Sequence, residues 1–266
     1  MENNYVVIMA GGVGSRFWPL STQNRPKQFL DVLGIGKTLI QMTYDRLLMV
    51  APASNIYVVT NENYVDMVKD QLPELTPAQI LTEPERKNTA PCIAYAAAKI
   101  YSLNKNANMV VAPSDHLILK EDRFKRIVNI ALENAAQHDQ ILTLGIKPNR
   151  ADTGYGYIQF HQDGDIIGGQ VKKVKQFTEK PNKELAELFL KSGDYYWNSG
   201  IFIWRAKTIL KALQKFKPEL YDAFCSDFPI YNTPGEYNYV NNAFRNSENI
   251  SIDFAIMENA KNNPFF

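Results

Sequence analysis

The sequence predicts an α/β fold, a doubly wound and mostly parallel sheet with an inserted β-hairpin, on three observations. Short apolar runs recur at strand length: Tyr5 to Ala10, Ile56 to Val59, Met109 to Ala112 and Ile141 to Ile146. Continuous runs of this kind suit strands covered on both faces, as parallel sheets require. Helically spaced segments lie between them, and the first run stops at Gly11-Gly12. Such sheets bind ligands beyond the carboxyl ends of their strands, so the site is expected from Gly11 onward.

The helices follow from spacing and caps. From Thr89, the positions Ala90, Ile93, Ala94, Ala97, Ala98 and Tyr101 share a face, with Asn88 or Thr89 as the cap and Pro91 tolerated in the first turn. Phe124, Ile127, Val128, Ala131 and Ala135 repeat the pattern after Glu121-Asp122, acidic residues suited to a helix N-terminus. After Pro148 the texture changes: Tyr155 to Phe160, an Asp163-Gly164 turn and Val171 to Phe177 predict the inserted hairpin. A helix from Asn182 to Lys191 and a strand at Ile201 to Trp204 follow, then helices from Lys207 to Lys261 broken at Pro218, Pro229 and Pro234. No repeat or low-complexity linker divides the chain, so one domain over residues 1–266 is expected.

Composition narrows the partners. The 29 Lys and Arg against 28 Asp and Glu leave a net charge of +1, which is no nucleic-acid footprint. Two cysteines cannot build a disulfide framework and fit a reducing compartment. The first apolar run is too short for a signal-peptide core or a membrane span, so a cytoplasmic chain with no membrane partner is expected.

Chemistry concentrates at Ala10-Gly11-Gly12-Val13-Gly14-Ser15-Arg16. Glycines let main-chain amides approach an anion closely, and Arg16 adds a fixed charge, so the segment reads as a phosphate cradle; an ordinary strand-end turn is the plain alternative. A dinucleotide fingerprint is excluded, because Phe17 stands where the third glycine belongs. Gly36-Lys37-Thr38 imitates the end of a P-loop, but Asp31 occupies the opening glycine position, and a surface turn is expected. Arg16, Arg25 and Lys27 crowd a loop stiffened by Pro19 and Pro26, which suits a polyphosphate better than a solvated charged face. Asp115 follows the run ending at Pro113, at the carboxyl end of a strand, where a hard oxygen ligand suits magnesium; capping of the next turn is the alternative.

The segments Gly11 to Ser21 and Arg25-Pro26-Lys27-Gln28-Phe29 resemble the signature of the sugar-phosphate nucleotidylyltransferases, and within them that of the mannose-1-phosphate guanylyltransferases. Later segments resemble the same family in the same order: Glu83-Pro84 with Asn88-Thr89-Ala90-Pro91, Pro113 to His116, Thr153 to Ile158, Phe177 to Pro181, Trp197 to Phe202 and Ser251 to Glu258. The resemblance implies a Rossmann-like nucleotide-diphospho-sugar transferase fold. It also implies a magnesium-assisted reaction in which GTP and α-mannose 1-phosphate give GDP-mannose and pyrophosphate.

By the same resemblance Arg16 and Lys27 are the catalytic cations, and Gly11, Gly12, Gly14, Ser15, Glu83, Asn88 and Thr89 surround the nucleotide. Gly154, Tyr155, Glu179, Lys180 and Asn198 take the sugar phosphate, with Asp115 as the metal ligand. The family's sequence continues to a further Trp-Ser-Asp-Leu-Gly-like motif carrying a second metal carboxylate and to a β-helix-like region. This reading therefore expects a C-terminally truncated chain, in which Asp253 is a weak stand-in and GTP binding outlasts turnover. A second copy of the chain is left open as a partner. A different nucleotide and sugar 1-phosphate pair, or a non-catalytic nucleotide-sugar sensor, is the alternative. The Asp163-Gly164-Asp165 imitation of a glycosyltransferase metal motif is set aside as a hairpin turn, and His116, His138 and His161 are too scattered to form a site.

Overall fold

In the computed structural model the chain folds as β1 (Asn4–Met9), α1 (Leu39–Leu47), β2 (Ile56–Asn61), α2 (Val65–Gln71), β3 (Ile80–Glu83), α3 (Thr89–Leu103), β4 (Asn108–Pro113) and α4 (Glu121–Gln137). Then come β5 (Leu142–Ile146), β6 (Tyr157–Ile167), β7 (Val171–Thr178), α5 (Lys183–Ser192) and β8 (Tyr195–Arg205), and finally α6 (Ala206–Phe216), α7 (Pro218–Cys225), α8 (Glu236–Asn246) and α9 (Ile252–Ala255). The structure describes residues 1–12, 14, 17–167 and 171–262, without the side chains of 163–167 and 260–262.

The sheet runs β3-β2-β1-β4-β8-β6-β7, with β5 also paired to β8. β3, β2, β1 and β4 are mutually parallel; β8 runs against β4, β5 and β6, and β7 runs against β6, so all the strands but β7 and β8 point one way. Alternate residues of a strand face opposite sides. Val6, Ile8 and Val58 therefore pack on α1, α2 and α4, while Val7, Val59 and Val111 pack on α3 and α6 to α9. Helices on both faces make the sheet doubly wound, which explains why the β1, β2 and β4 runs are apolar at consecutive positions.

Several boundaries obey local rules. Asn182 caps α5 by accepting from the Leu185 amide at 2.9 Å, and Gly193 ends it in the left-handed conformation at φ 75°. Pro218 opens α7, where its missing N–H costs nothing. The Gly36-Lys37 segment is a surface turn whose Ile35 and Gly36 amides donate to Asp31.

Two expectations need correction. The Ile141 to Ile146 run is not a strand buried within the parallel sheet: β5 pairs antiparallel with β8 through a bulge at Thr143/Gly145, and Ile146 is exposed. An apolar run reports neither the direction nor the depth of a strand. The Asp163-Gly164 pair is not the hairpin turn: β6 continues to Ile167, with Asp165 opposite Lys172 and register shifts on either side. Bulges absorb the extra residues, and residues 168–170, between β6 and β7, lie outside the described residues. Among the described residues no helix is long and apolar enough to cross a membrane.

Candidate functional site

The carboxyl ends of β1 to β4 and the first half of β8 share one edge of the sheet, and most of the expected site residues gather there. At the end of β1 the turn is held from beneath. The buried Gln28 amide donates to Ala10 O at 2.8 Å and to Gly12 O at 2.9 Å, and the Thr60 hydroxyl lies 3.1 Å from Ala10 O. In a trans peptide the carbonyl and N–H point opposite ways, so holding the Ala10 carbonyl inward turns the Gly11 N–H outward. Gly14 has φ 69°, and a β-carbon there would stand 2.6 Å from Lys27 Cγ. Only glycine lets the lysine stem cross the turn so closely. Ser15 and Arg16 lie outside the described residues, and Arg25 is exposed.

The Lys27 ammonium lies 5.5 Å from the Phe17 ring centroid and forms an ion pair with Asp115. Asp115 is braced through its neighbours: Ser114 N donates to Met9 O at 3.1 Å, the Thr43 hydroxyl to Ser114 O at 3.3 Å and the Arg46 guanidinium to His116 O at 3.1 Å. Arg46 is itself buried, with its charge 3.7 Å from Glu121. Burial lowers the His116 pKa, with the nearby Asp115 carboxylate pulling the other way.

On the β3 side, Glu83 lies beneath the turn, its Oε2 2.7 Å from where a Gly11 β-carbon would stand. Burial pushes the Glu83 carboxyl up to about 7, partly offset by a Cys92 hydrogen bond and by Arg86. Asn88 adopts φ 68° and caps α3 by accepting from Thr89 N at 2.9 Å. The Thr89 hydroxyl accepts from Ile252 N at 2.8 Å, which ties the start of α3 to α9. A cavity of about 770 Å³ opens beside this region, between Gln23-Asn24, Asn61, Tyr64 and Glu85-Arg86.

The β8 side holds the remaining expected residues. Tyr155 stacks on Trp197 with centroids 4.8 Å apart, and Gly154 N donates to Asp152 at 2.8 Å. The Glu179 side chain is almost wholly buried and paired with the exposed Lys180, while Glu179 N donates to Glu258 at 3.3 Å. A β-carbon on Gly156 would stand 2.6 Å from Glu179 Oε2, 3.1 Å from Phe177 Cζ and 3.5 Å from Asn198 Cβ, so Gly156 packs closely against all three residues. Asn198 Nδ2 donates to Asp253 Oδ1 at 2.9 Å. Burial, and then the charge of Glu179, raise the Asp253 carboxyl to about 6.

Asp253 thus sits with Glu179 and Asn198, and among the described residues no three His, Cys, Asp or Glu side chains group to hold a metal. Gln28, Thr43, Arg46, Thr143 and Glu258 were not singled out in the sequence. Their partners are distant main-chain or side-chain groups, and no local pattern announces them.

The edge therefore combines a glycine turn, a lysine and aspartate pair, and a second cluster of carboxylates with a lysine. The model of the family described as "Nucleotidyl transferase" matches residues 5–229. The chain belongs to the nucleotidyl transferase family. The chain is 39% identical over 261 residues to the xanthan biosynthesis protein XanB of Xanthomonas campestris pv. campestris, covering 97% of this chain and 54% of that protein. It is 40% identical over 265 residues to the mannose-1-phosphate guanylyltransferase of Escherichia coli K12, covering 96% and 54%. The chain thus spans about half the length of these curated relatives.

Among solved structures, one described as mannose-1-phosphate geranyltransferase from Thermus thermophilus superposes with a TM-score of 0.84 at 27% identity, covering 97% of this chain and 72% of that one. One described as mannose-6-phosphate isomerase from Helicobacter pylori gives 0.77 at 25% identity, covering 96% and 93%.

Proposed function

We propose that the chain carries the nucleotide and sugar-phosphate sites of an enzyme that joins GTP and α-mannose 1-phosphate into GDP-mannose with release of pyrophosphate. The observation that carries this reading is the Lys27 and Asp115 pair beside the glycine turn, on the same sheet edge as Glu179, Lys180 and Asn198. The names of the Escherichia coli relative and of the alginate biosynthesis protein AlgA of Pseudomonas aeruginosa, 37% identical over 258 residues, accord with it. The free, buried Cys92 and Cys225 accord with a cytoplasmic setting.

A sugar-phosphate oxygen attacks the nucleotide α-phosphorus in line, and the bond to the β-phosphate oxygen breaks. No protein nucleophile is needed; alignment and charge neutralisation do the work. The outward Gly11 N–H and Lys27, with Arg16, hold the triphosphate and the departing pyrophosphate. Gly12, Gly14 and Ser15 complete the cradle, and Glu83, Asn88 and Thr89 surround the guanosine. Lys180 meets the sugar phosphate, Glu179 accepts hydrogen bonds from sugar hydroxyls, and Gly154, Tyr155 and Asn198 line that pocket.

Asp115 offers a hard carboxylate oxygen beside the cradle, a donor set that fits magnesium when phosphate oxygens complete the shell. Bound there, the metal supplies neutralisation of phosphate charge.

Pyrophosphate release from GTP with mannose 1-phosphate, against UTP with glucose 1-phosphate, tests the proposal. Faster release with the first pair supports it, and equal rates would show that the substrate assignment is wrong.

A further inference from the structure

We propose that Asp253 is a positioning residue of the sugar-phosphate pocket, locking the Asn198 amide so that it presents one N–H to a hexose 1-phosphate. The ligand in this proposal rests on the function proposed above; the lock does not.

The backbone of Asn198 is fixed first. It lies opposite Gly145 in the β5–β8 pairing, and its N–H donates to Gly156 O at 2.8 Å. The side-chain orientation then follows from partners that each allow one role. The Gly200 N–H can only donate, and it meets Asn198 Oδ1 at 3.1 Å. A carboxylate can only accept, and Asp253 meets Asn198 Nδ2 at 2.9 Å. Thr143 Oγ1 lies 3.0 Å from the same Oδ1 and 3.0 Å from Ile201 O, so its single proton is shared between two carbonyl oxygens. Reversing the amide would set a donor against the Gly200 N–H and an oxygen against the Asp253 carboxylate. One Nδ2 proton has no partner among the described residues, and Asn198 is left as a donor to the pocket.

Asp253 is held independently of any ligand. Ser251 caps its helical turn through the Phe254 amide at 3.3 Å, Ile252 is buried, and Ile252 N donates to Thr89 Oγ1 at 2.8 Å. The lock therefore links the segment after α8 to the start of α3 and to β8.

The resulting pocket offers one N–H from Asn198, a carboxylate acceptor from Glu179 and an ammonium from Lys180. That combination suits a polyhydroxylated ring, whose hydroxyls meet the Glu179 carboxylate and the Asn198 N–H, carrying a phosphate that meets the lysine.

The test uses two readouts on the same chain. In the ligand-free protein, NMR of the Asn198 side-chain amide should show one of its two protons exchanging slowly. Asp253→Ala should abolish that protection; Asp253→Asn should keep it, because the new amide oxygen still accepts. In calorimetric titrations with α-mannose 1-phosphate, D253A should weaken binding about ten-fold, the usual scale for a polar group left unpaired. D253N should stay close to wild type, and GTP affinity should be unchanged in both.

Equal, fast exchange of both protons in the wild-type chain would overturn the lock. So would mannose 1-phosphate binding to D253A with wild-type affinity, or an equal loss for GTP, which would reveal a general structural role. A wild-type chain with the protected proton that binds neither mannose 1-phosphate nor glucose 1-phosphate would instead overturn the sugar-phosphate reading and leave the lock standing.

Discussion

The Lys27 ammonium is ion-paired with the Asp115 carboxylate, which joins the loop after β1 to the end of β4. Without ligand each charge neutralises the other, so the metal role proposed for Asp115 competes with its Lys27 pair. Asp115→Asn should release Lys27 and leave GTP affinity without magnesium equal to or above that of wild type. It should also remove most of the gain that magnesium gives. Parallel GTP titrations with magnesium and with a chelator check both parts, and an undiminished gain would exclude Asp115 as the metal ligand.

Gln28→Ala should leave the Ala10 and Gly12 carbonyls without their shared donor. The cost is about 1–3 kcal/mol of stability, from chemical denaturation, for buried polar groups left unpaired. Because the turn also loses its orientation, GTP affinity should fall at least ten-fold even at temperatures where the variant is fully folded. An unchanged affinity would mean that the turn holds its shape unaided.

The Glu83 carboxyl, raised by burial from 4.5 to about 7, binds a proton more tightly in the folded chain than in the unfolded one. Stability from this group is fully present below about 4.5 and is lost as pH rises through about 7. At 1.36 kcal/mol per unit the loss is at most about 3 kcal/mol. Denaturation of wild type and Glu83→Gln across this range should give curves that diverge as pH rises, the variant becoming the more stable. Parallel curves would show that the carboxyl titrates normally.

Away from the site, Lys99 on α3 contacts both oxygens of Glu236 on α8, at 2.7 and 2.6 Å, and Tyr95 and the Asn232 amide also donate to that carboxylate. Lys99→Met leaves a buried carboxylate without its cation and should destabilise the fold by about 3–5 kcal/mol. GTP affinity of the remaining folded protein should not change, which separates this clamp from the ligand edge.

How much of this was legible depends on where the partners lie. The β1 run and its glycine turn are contiguous, so the sequence placed the turn at the end of a buried strand, and Asn182 and Pro218 marked helix starts through local rules. Asp115 follows β4, the neighbour of β1 in a doubly wound sheet, which is why its position after an apolar run placed it at the same end of the sheet as the loop carrying Lys27. Gln28, Thr43 and Arg46 act on main-chain oxygens, and in the two α1 residues these are about seventy positions away, so nothing nearby in sequence signals them. The Asp163-Gly164 pair misled because bulges shift strand register without a compositional mark. Asp253, read as a weak stand-in for a metal carboxylate, has its hydrogen-bond partner Asn198 on a different element 55 positions away in sequence, so no local pattern signals that contact.

Calorimetry of GTP binding to wild type and Lys27→Ala tests most directly whether the glycine turn and its lysine grip a triphosphate. The account predicts at least a ten-fold weaker affinity in the variant, with a denaturation midpoint close to wild type because the Lys27 side chain is partly exposed. Equal GTP affinity in the two proteins, or no GTP binding by the folded wild-type chain, would contradict it.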